Sequence, residues 1–262
     1  MPATQSLAEN TATGKKTISF LLDTNFGLPT DKEPWNKILK DLNITTDGSS
    51  NDLVMIDAEI AAHRPDLAYI PIADFHRLLR KGDTYYRGFV IGTSKFTGST
   101  DLPSVLVVRQ DDPATGLDSL EGATYGYINR SCSSSYFPPA ILLQKQGKKL
   151  DQFLKIKPVK PWQGQIDAVV AKEVRATLVP EDVWKTTPEN AQTTKVIGRY
   201  DTAKPGLIVV RQDFDEKVGK TLLDALVAWA PKWEAVYGPF KPYYLADVFS
   251  FYHDLDQLPA DF

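Results

Sequence analysis

A serine-rich turn between a predicted strand and a predicted helix is the part of this sequence whose residue types best suit chemistry. Residues 125–128 favour a strand, and the prolines at 138–139 suit the first turn of a helix, where backbone donors are not needed. Ser133–Ser135 lie between them as candidate helix N-caps. The first helical turn has unpartnered backbone N–H groups and the positive end of the helix dipole. We therefore predict that Ser133 and Ser134 bind a small anionic or strongly polar ligand, with capping alone as the alternative.

Two other residues of this turn carry chemistry of their own. Arg130 is a candidate direct partner of the ligand, and a solvated ion pair is the alternative. Cys132 is the sole cysteine, so the sequence contains neither a disulfide framework nor a cysteine-based metal cluster. A nucleophilic Cys132 would need a base and an orienting group, and neither is adjacent in sequence. Its alternative role is that of a small buried hydrophobic residue.

Further candidate ligand contacts lie where predicted strands end, because ligands of open α/β sheets bind there. Thr24, Asn25 and Phe26 follow the first predicted strand. Tyr69 ends another strand, with core packing as its alternative role. Glu181 follows a later strand and is predicted to accept hydrogen bonds from a protonated ligand or an amine. A favourable charge at a helix N-terminus is its alternative.

The elements that must position these residues alternate between short apolar runs and helical segments, as in α/β folds. The predicted strands are 17–22, 66–71, 89–92, 104–109, 125–128, 154–159, 176–179, 195–200 and 206–211. The predicted helices are 33–42, 53–62, 72–79, a helix after the serine turn that ends before Gly147, 163–172 and 218–230. Residues 43–50 are predicted as a loop, and His76 is expected on a helix surface.

An internal sequence similarity predicts the division into lobes. SVLVVRQDD at 104–112 and GLIVVRQDF at 206–214 are near-duplicates, with coincidence as the alternative explanation. We interpret them as marking two crossings between lobes: the chain leaves one lobe, builds a second and returns. The predicted limits are a disordered leader at 1–16, a first lobe at 17–107 plus 208–262, and a second lobe at 108–207.

Composition excludes several classes of function. The 262 residues carry a net charge of −3, without the basic excess that nucleic acids or membrane surfaces attract. No apolar segment reaches the ~18–20 residues of a spanning helix, so we expect no membrane insertion. The three histidines are scattered, and neither a metal motif nor a GxGxxG loop is present. We therefore expect no metal, no cofactor and no catalytic residue, and a monomeric protein.

At these residues the chain resembles a known family, the phosphate/phosphite/phosphonate-type solute-binding proteins of ABC transporters. Residues 127–139 are similar to that family's strand, Ser-Thr-Ser turn and helix start. In this chain the turn is Cys132, Ser133 and Ser134, followed in step by Ser135, Tyr136 and Pro139. The resemblance implies that Ser135, Tyr136 and Cys132 join Ser133 and Ser134 around the ligand.

Other segments extend the resemblance over most of residues 17–230. Leu117–Gly122 looks like the family's lead-in to the turn, and Pro205–Arg211 like its return strand. The family's His before an Asp is replaced here by Ile166, which cannot donate a hydrogen bond. Ile70–Pro71 matches the family's Gly-Pro in part, and Pro180–Glu181 matches its acidic ligand contact loosely.

The resemblance implies an α/β fold of two lobes, the type 2 periplasmic-binding fold, with mixed sheets, helices on both faces and two crossover strands. It also implies a non-enzymatic receptor that closes over a small oxyanion or polar solute and works with an ABC permease. The alternatives are a cytosolic enzyme or a regulatory binding module on the same fold. The location is expected to be periplasmic or extracellular if a signal was removed, and cytoplasmic if the numbering starts at the native Met.

Overall fold

A computed structural model describes residues 16–22, 44–47, 53–228 and 239–259 of the chain. Eleven strands lie within these ranges: β1 (Lys16–Leu22), β2 (Ile44–Asp47), β3 (Leu67–Ile70), β4 (Tyr86–Ile91), β5 (Ser104–Arg109), β6 (Thr124–Tyr127), β7 (Lys155–Pro158), β8 (Ala176–Pro180), β9 (Thr194–Tyr200), β10 (Leu207–Arg211) and β11 (Lys241–Pro242). The same ranges hold nine α-helices: α1 (Leu53–Ala61), α2 (Ile72–Arg80), α3 (Phe137–Lys145), α4 (Leu150–Phe153), α5 (Trp162–Val170), α6 (Glu181–Thr186), α7 (Asn190–Thr193), α8 (Glu216–Ala228) and α9 (Phe249–Asp256). None of these helices is long and apolar enough to cross a membrane.

The strands form two sheets that share the same arrangement of five strands, and the first sheet has β11 as an additional edge strand. The first sheet has the order β11-β4-β10-β3-β1-β2, and the second has the order β7-β6-β8-β5-β9. In the first, β1 pairs in parallel with β2 and β3, while β10 is antiparallel to β3 and β4. In the second, β6 pairs in parallel with β7 and β8, while β5 is antiparallel to β8 and β9. We call the units around these sheets the first lobe and the second lobe.

The two similar sequence segments occupy equivalent places in the two sheets, because β5 and β10 each run antiparallel to both of their neighbouring strands. The register of β5 against β9 shifts between Leu106 and Val107, and that of β10 against β4 shifts between Ile208 and Val209, at matching positions. The arginine that ends each strand contacts the aspartate two residues later, at 2.8 Å in β5 and 2.9 Å in β10. The sequence similarity thus coincides with an equivalence in structure.

Residues 92–103 and 201–206, which we call the two crossover segments, connect strands of one sheet to strands of the other. They lie side by side, since Leu102 N–H donates to Ala203 O at 2.9 Å and Gly92 N–H donates to Gly206 O at 3.2 Å. The whole of β5 belongs to the second sheet, so the predicted limit between residues 107 and 108 falls inside a strand. The apolar sequence of β5 does not indicate which of the two sheets the strand joins.

The central strands of the sheets are buried, which explains why they are nearly continuous apolar runs. Every residue of β8 and the first five residues of β5 are buried. The core also continues from one lobe into the other: one buried cluster includes Tyr69 of β3 together with Cys132, Trp162 and Ile166 of the second lobe. The lobes are therefore packed against each other.

The C-terminal helix α9 contacts both lobes, as expected for an aromatic tail that packs back onto the protein. The Phe251 ring lies edge-on to Phe137 of α3 with centroids 6.2 Å apart. On the first lobe, His76 Nε2 lies 3.2 Å from Asp256 Oδ1. His76 is therefore buried, and the prediction of a surface position was wrong because α9 covers this face of α2.

Two other local predictions differ in outcome. The predicted loop at 43–50 contains strand β2, which pairs with β1; Ile44, Thr45 and Thr46 are β-branched residues that favour a strand. Gly147 does end α3, with φ +72° and its N–H bonded to Gln144 O at 2.9 Å. The predicted leader, apart from its last residue in β1, and the predicted helix at 33–42 lie outside the described residues.

Candidate functional site

The serine-rich turn runs from residue 129 to residue 136, between the end of β6 and the start of α3. Asn129 fixes its beginning, because its Oδ1 accepts from Ser131 N–H at 2.9 Å and its carbonyl accepts from Cys132 N–H at 3.2 Å. Tyr136 N–H then donates to Cys132 O at 3.1 Å, which makes one helical turn just before α3. The turn is nearly closed to solvent: Cys132, Ser134 and Ser135 have 0% exposure.

The serine hydroxyls do not cap α3, so the prediction that Ser133–Ser135 act as N-caps was wrong. The N-cap is Tyr136, which makes no side-chain capping bond. The hydroxyls have other partners: Ser135 Oγ accepts from Ile128 N–H at 3.1 Å, and Ser133 Oγ donates to Lys204 O in the second crossover segment. Ser134 Oγ lies 3.3 Å from Cys132 Sγ, and either group can be the donor.

The backbone N–H groups of Ser133, Ser134 and Ser135 have no hydrogen-bond acceptor among the residues that the structure describes. They are consecutive, belong to buried residues and precede the first turn of α3. Buried backbone donors are almost always paired, so three neighbouring exceptions need a partner. The helix dipole adds positive potential at the same place. This arrangement suits an oxyanion that accepts several hydrogen bonds at once.

The turn lies at the junction between the lobes. Besides the bond from Ser133 to Lys204, Ser131 Oγ donates to Asp74 Oδ1 of α2 at 2.8 Å, across the junction. Tyr69 of β3 has 0% exposure and lies in the same buried cluster as Cys132. Gly206 leaves room for the Tyr69 ring, since a Cβ there would lie 2.5 Å from its hydroxyl oxygen. Tyr69 is thus buried beside the turn and the second crossover segment.

Arg130 points away from the buried part of the turn. Its side chain is 56% exposed and its Nη2 lies 2.5 Å from Asp151 Oδ2, which raises the pKa of the guanidinium. Nη1 donates to the Tyr136 hydroxyl at 2.7 Å, and the guanidinium also lies over the Tyr136 ring. Burial is the main reason why the pKa of Tyr136 rises to about 12. Arg130 therefore anchors the outer side of the turn through a partly solvated ion pair.

The remaining predicted residues differ in their surroundings. Glu181 begins α6 and pairs with Lys185 at 2.9 Å and Arg199 at 3.2 Å. Its neighbour Asp182 is buried and accepts from Ser94 Oγ at 2.7 Å in the first crossover segment. Thr24, Asn25 and Phe26 lie outside the described residues. No group of three or more potential metal ligands gathers within the described ranges.

Sequence reasoning missed several polar groups near the turn. Ser131 and its partners Asp74 and Arg77 were not predicted, because the two lobes supply them from distant parts of the chain. Two buried side-chain amide groups, Nδ2 of Asn129 and Nε2 of Gln165, make no hydrogen bond within the described part of the chain. Gln165 directly precedes Ile166, the position where this chain differs from the His of the related family. That difference was the one sequence feature that pointed to this part of the chain.

Comparison with known proteins agrees with this geometry. Residues 51–238 match the family described as "ABC transporter, phosphonate, periplasmic substrate-binding protein". No curated protein sequence matches the chain.

Several solved structures share the fold. A Prochlorococcus marinus protein, PhnD1, in complex with methylphosphonate is similar with a TM-score of 0.71 at 14% identity, over 93% of this chain and 99% of that one. The binding protein component of an ABC phosphonate transporter from Pseudomonas aeruginosa gives 0.65 at 15%, over 94% and 91%. A Xanthomonas citri protein bound to chloride ion gives 0.67 at 15%, over 92% and 98%. The chain thus has the two-lobed fold of periplasmic binding proteins.

Proposed function

Because the chain belongs to the family of periplasmic substrate-binding proteins of phosphonate ABC transporters, we propose that it is a receptor that closes its lobes over a small oxyanion. The observation that carries the proposal is the set of consecutive N–H groups of Ser133, Ser134 and Ser135, which lack acceptors within the described ranges. A tetrahedral oxyanion such as a phosphonate has several oxygens that accept such bonds together.

Ser134 adds a side-chain donor to these amides. When Cys132 donates its thiol proton to Ser134 Oγ, the Ser134 hydroxyl proton is directed to the anion. Ser133 contributes its amide, since its hydroxyl proton is donated to the Lys204 carbonyl. Ser135 contributes its amide and also keeps a hydroxyl proton to donate, because its oxygen only accepts from Ile128 N–H. Cys132 then supports a ligand donor and does not act as a nucleophile.

The first lobe completes the proposed site. Tyr69 supplies an aromatic wall and a hydroxyl group, supported by its burial beside Cys132. Thr24, Asn25 and Phe26 are retained from the sequence prediction as further contacts. Glu181 is retained as a further contact, and its charge is already paired with Lys185 and Arg199.

The wider proposal follows from the family. The receptor delivers its solute to an ABC permease from the periplasmic side of the membrane and acts as a monomer. We propose that the lobes meet at the two crossover segments, residues 92–103 and 201–206, because each sheet is complete on its own side of them. This refines the predicted limits of 107/108 and 207/208.

Calorimetric titration with methylphosphonate tests the function, with phosphate, phosphite, methylsulfonate and chloride as comparison anions. We expect saturable binding of methylphosphonate and a raised melting temperature by mass action. Ser134→Ala should raise the Kd roughly 10- to 150-fold, the range for one hydrogen bond to a charged group. Ser134→Asp should abolish binding, because a carboxylate there repels the anion from the amides.

Gln192→Glu is the matched control, since it adds the same charge at an exposed position of α7. Circular dichroism and the melting temperature of each variant without anion show whether it is folded. Binding of none of the anions by folded wild type would overturn the proposed function. Binding that Ser134→Asp leaves intact would refute the site and leave a receptor with another one.

A further inference from the structure

The hydroxyl group of Ser131 joins the serine turn to two charged side chains on the other lobe. It donates to Asp74 Oδ1 at 2.8 Å and accepts from Arg77 Nη2 at 3.0 Å. Arg77 Nη1 lies 2.6 Å from the same carboxylate oxygen, so the three groups form a closed triangle. Ser131 is 2% exposed and Asp74 is 8% exposed. The triangle is thus a polar contact between the lobes that is buried at Ser131 and Asp74, while the Arg77 side chain is 37% exposed.

Ser131 is tied to the unpartnered amides by the turn itself. Its N–H donates to Asn129 Oδ1 at 2.9 Å, so its backbone is fixed at the end of β6. Only Cys132 separates it from Ser133, the first of the three amides. A displacement of Ser131 therefore also displaces the neighbouring backbone amides of Ser133–Ser135, which would bind the anion.

The hydrogen bonds of Ser131 with Asp74 and Arg77 can break when the lobes separate. Asp74 is in the first turn of α2, where the helix dipole favours a negative charge. Its ion pair with Arg77 lies within one helix, so its geometry does not depend on contact between the lobes. Separation of the lobes removes the bonds to Ser131 and leaves no buried charge without a partner. The contact can therefore stabilise closure and still be reversible.

We propose that Asp74 and Arg77 are positioning residues that hold the serine turn through Ser131 and favour the closed arrangement of the lobes. The proposal rests on the proposed function, because it takes the turn to be the place where the anion binds. In a two-state receptor the apparent affinity scales with the population of the competent state. Loss of the triangle lowers the closed population and speeds release of the anion.

Stopped-flow and calorimetric measurements with methylphosphonate test this role. Ser131→Ala and Asp74→Asn should each raise the Kd roughly 10- to 150-fold, mostly through a faster dissociation rate, as expected for one hydrogen bond to a charged group. The double variant should be no worse than the worse single variant, because both changes break one contact. Ser131→Thr keeps the hydroxyl and should restore binding. Ser119→Ala and Asp111→Asn are controls whose bonds stay within the second lobe.

Interlobe distances provide a readout that does not need an anion to bind. Spin labels replace the exposed residues Ala58 of α1 and Val170 of α5, one on each lobe. Ser131→Ala should decrease the short-distance population, and Ser131→Thr should keep it. Distance distributions identical in wild type and Ser131→Ala, both with and without methylphosphonate, would overturn the positioning role. If the wild type binds no anion, the proposed function fails while these distances still decide the role of the triangle.

Discussion

The Ser133 hydroxyl donates a hydrogen bond to the backbone carbonyl of Lys204, which ties the serine turn to the segment that returns the chain to the first lobe. This bond is buried and connects residues 71 positions apart. It stabilises one arrangement of the turn relative to the crossover segments. It also takes the hydroxyl proton of Ser133 away from the proposed anion, which leaves the amide as that residue's donor.

Ser133→Ala should lower the free energy of unfolding by about 1–3 kcal/mol, because the Lys204 carbonyl then lacks a buried donor. Urea denaturation of the anion-free protein measures this change. Ser250→Ala, at an exposed position of α9, should change stability by less than about 0.5 kcal/mol. Equal stability of the two variants would show that the Ser133 bond contributes nothing to folding.

Acidification should destabilise the protein through His76. Burial lowers the pKa of His76 and outweighs the opposing effect of the Asp256 carboxylate. The folded state then binds fewer protons than the unfolded state, so stability is full above the unfolded value of about 6.5 and falls as the pH drops through it. Urea denaturation between pH 7.5 and pH 5 should show this decrease in wild type.

The substitution His76→Gln should flatten that part of the pH profile. His253→Gln, on the exposed side of α9, is the control that should keep the slope. A profile that His76→Gln leaves unchanged would contradict the assignment of this pH dependence to His76.

Asp112 should control stability at lower pH. Arg175 Nε and Nη2 each donate to its carboxylate at 3.0 Å, and this bonding is the main reason why its pKa is lowered. The stabilisation is present above the unfolded pKa of about 3.9 and is lost as the pH falls through the lower folded pKa. Asp112→Asn should cost about 1–3 kcal/mol at pH 7 and show a smaller loss between pH 5 and pH 2.5.

Asp201→Asn removes a carboxylate that contacts Arg199 at 3.2 Å but is 67% exposed. Surface pairs contribute little, so this variant should lose less than about 1 kcal/mol at pH 7. Chemical denaturation across the pH range compares the two. Equal losses of stability in the two variants would mean that the two hydrogen bonds from Arg175 to Asp112 stabilise the protein no more than a surface ion pair does.

Gly206→Ala should destabilise the protein by about 1–3 kcal/mol through overpacking. An added Cβ would lie 2.5–2.9 Å from the hydroxyl oxygen and ring carbons of Tyr69, which is completely buried. Gly219→Ala in α8 meets nothing closer than 3.6 Å and should stabilise by about 0.4–1 kcal/mol. Thermal unfolding distinguishes the two variants. A shift of the melting temperature in the same direction in both would refute the packing argument.

Much of the fold follows from local pattern. Buried strands such as β5 and β10 are apolar throughout, and their shared sequence locates equivalent strands of the two sheets. Strand β2 was missed because its four residues stand between Asn43 and Gly48, which favour turns. The burial of His76 could not be read locally, since it depends on α9, about 175 residues later in the chain.

The candidate site was predictable in position but not in detail. Helix-start chemistry directed attention to Ser133–Ser135, and that part of the turn does carry amides without acceptors in the described part of the chain. Which serine hydroxyl is engaged depends on Lys204 and Asp74, the latter 57 positions from Ser131. Partners at such separations leave no periodic signal in the sequence, so only the tertiary structure identifies them.

The position of β10 has a consequence for synthesis of the chain on the ribosome. Among the described strands, β4 pairs only with β10 and β11, so its backbone stays open until residues 207–211 have been made. The emerging first half of the protein therefore has an unfilled gap between β3 and β4 while the second sheet can already assemble. A polypeptide truncated near residue 200 should expose unpaired strand edges that can pair with other chains. It should therefore need a chaperone to avoid aggregation.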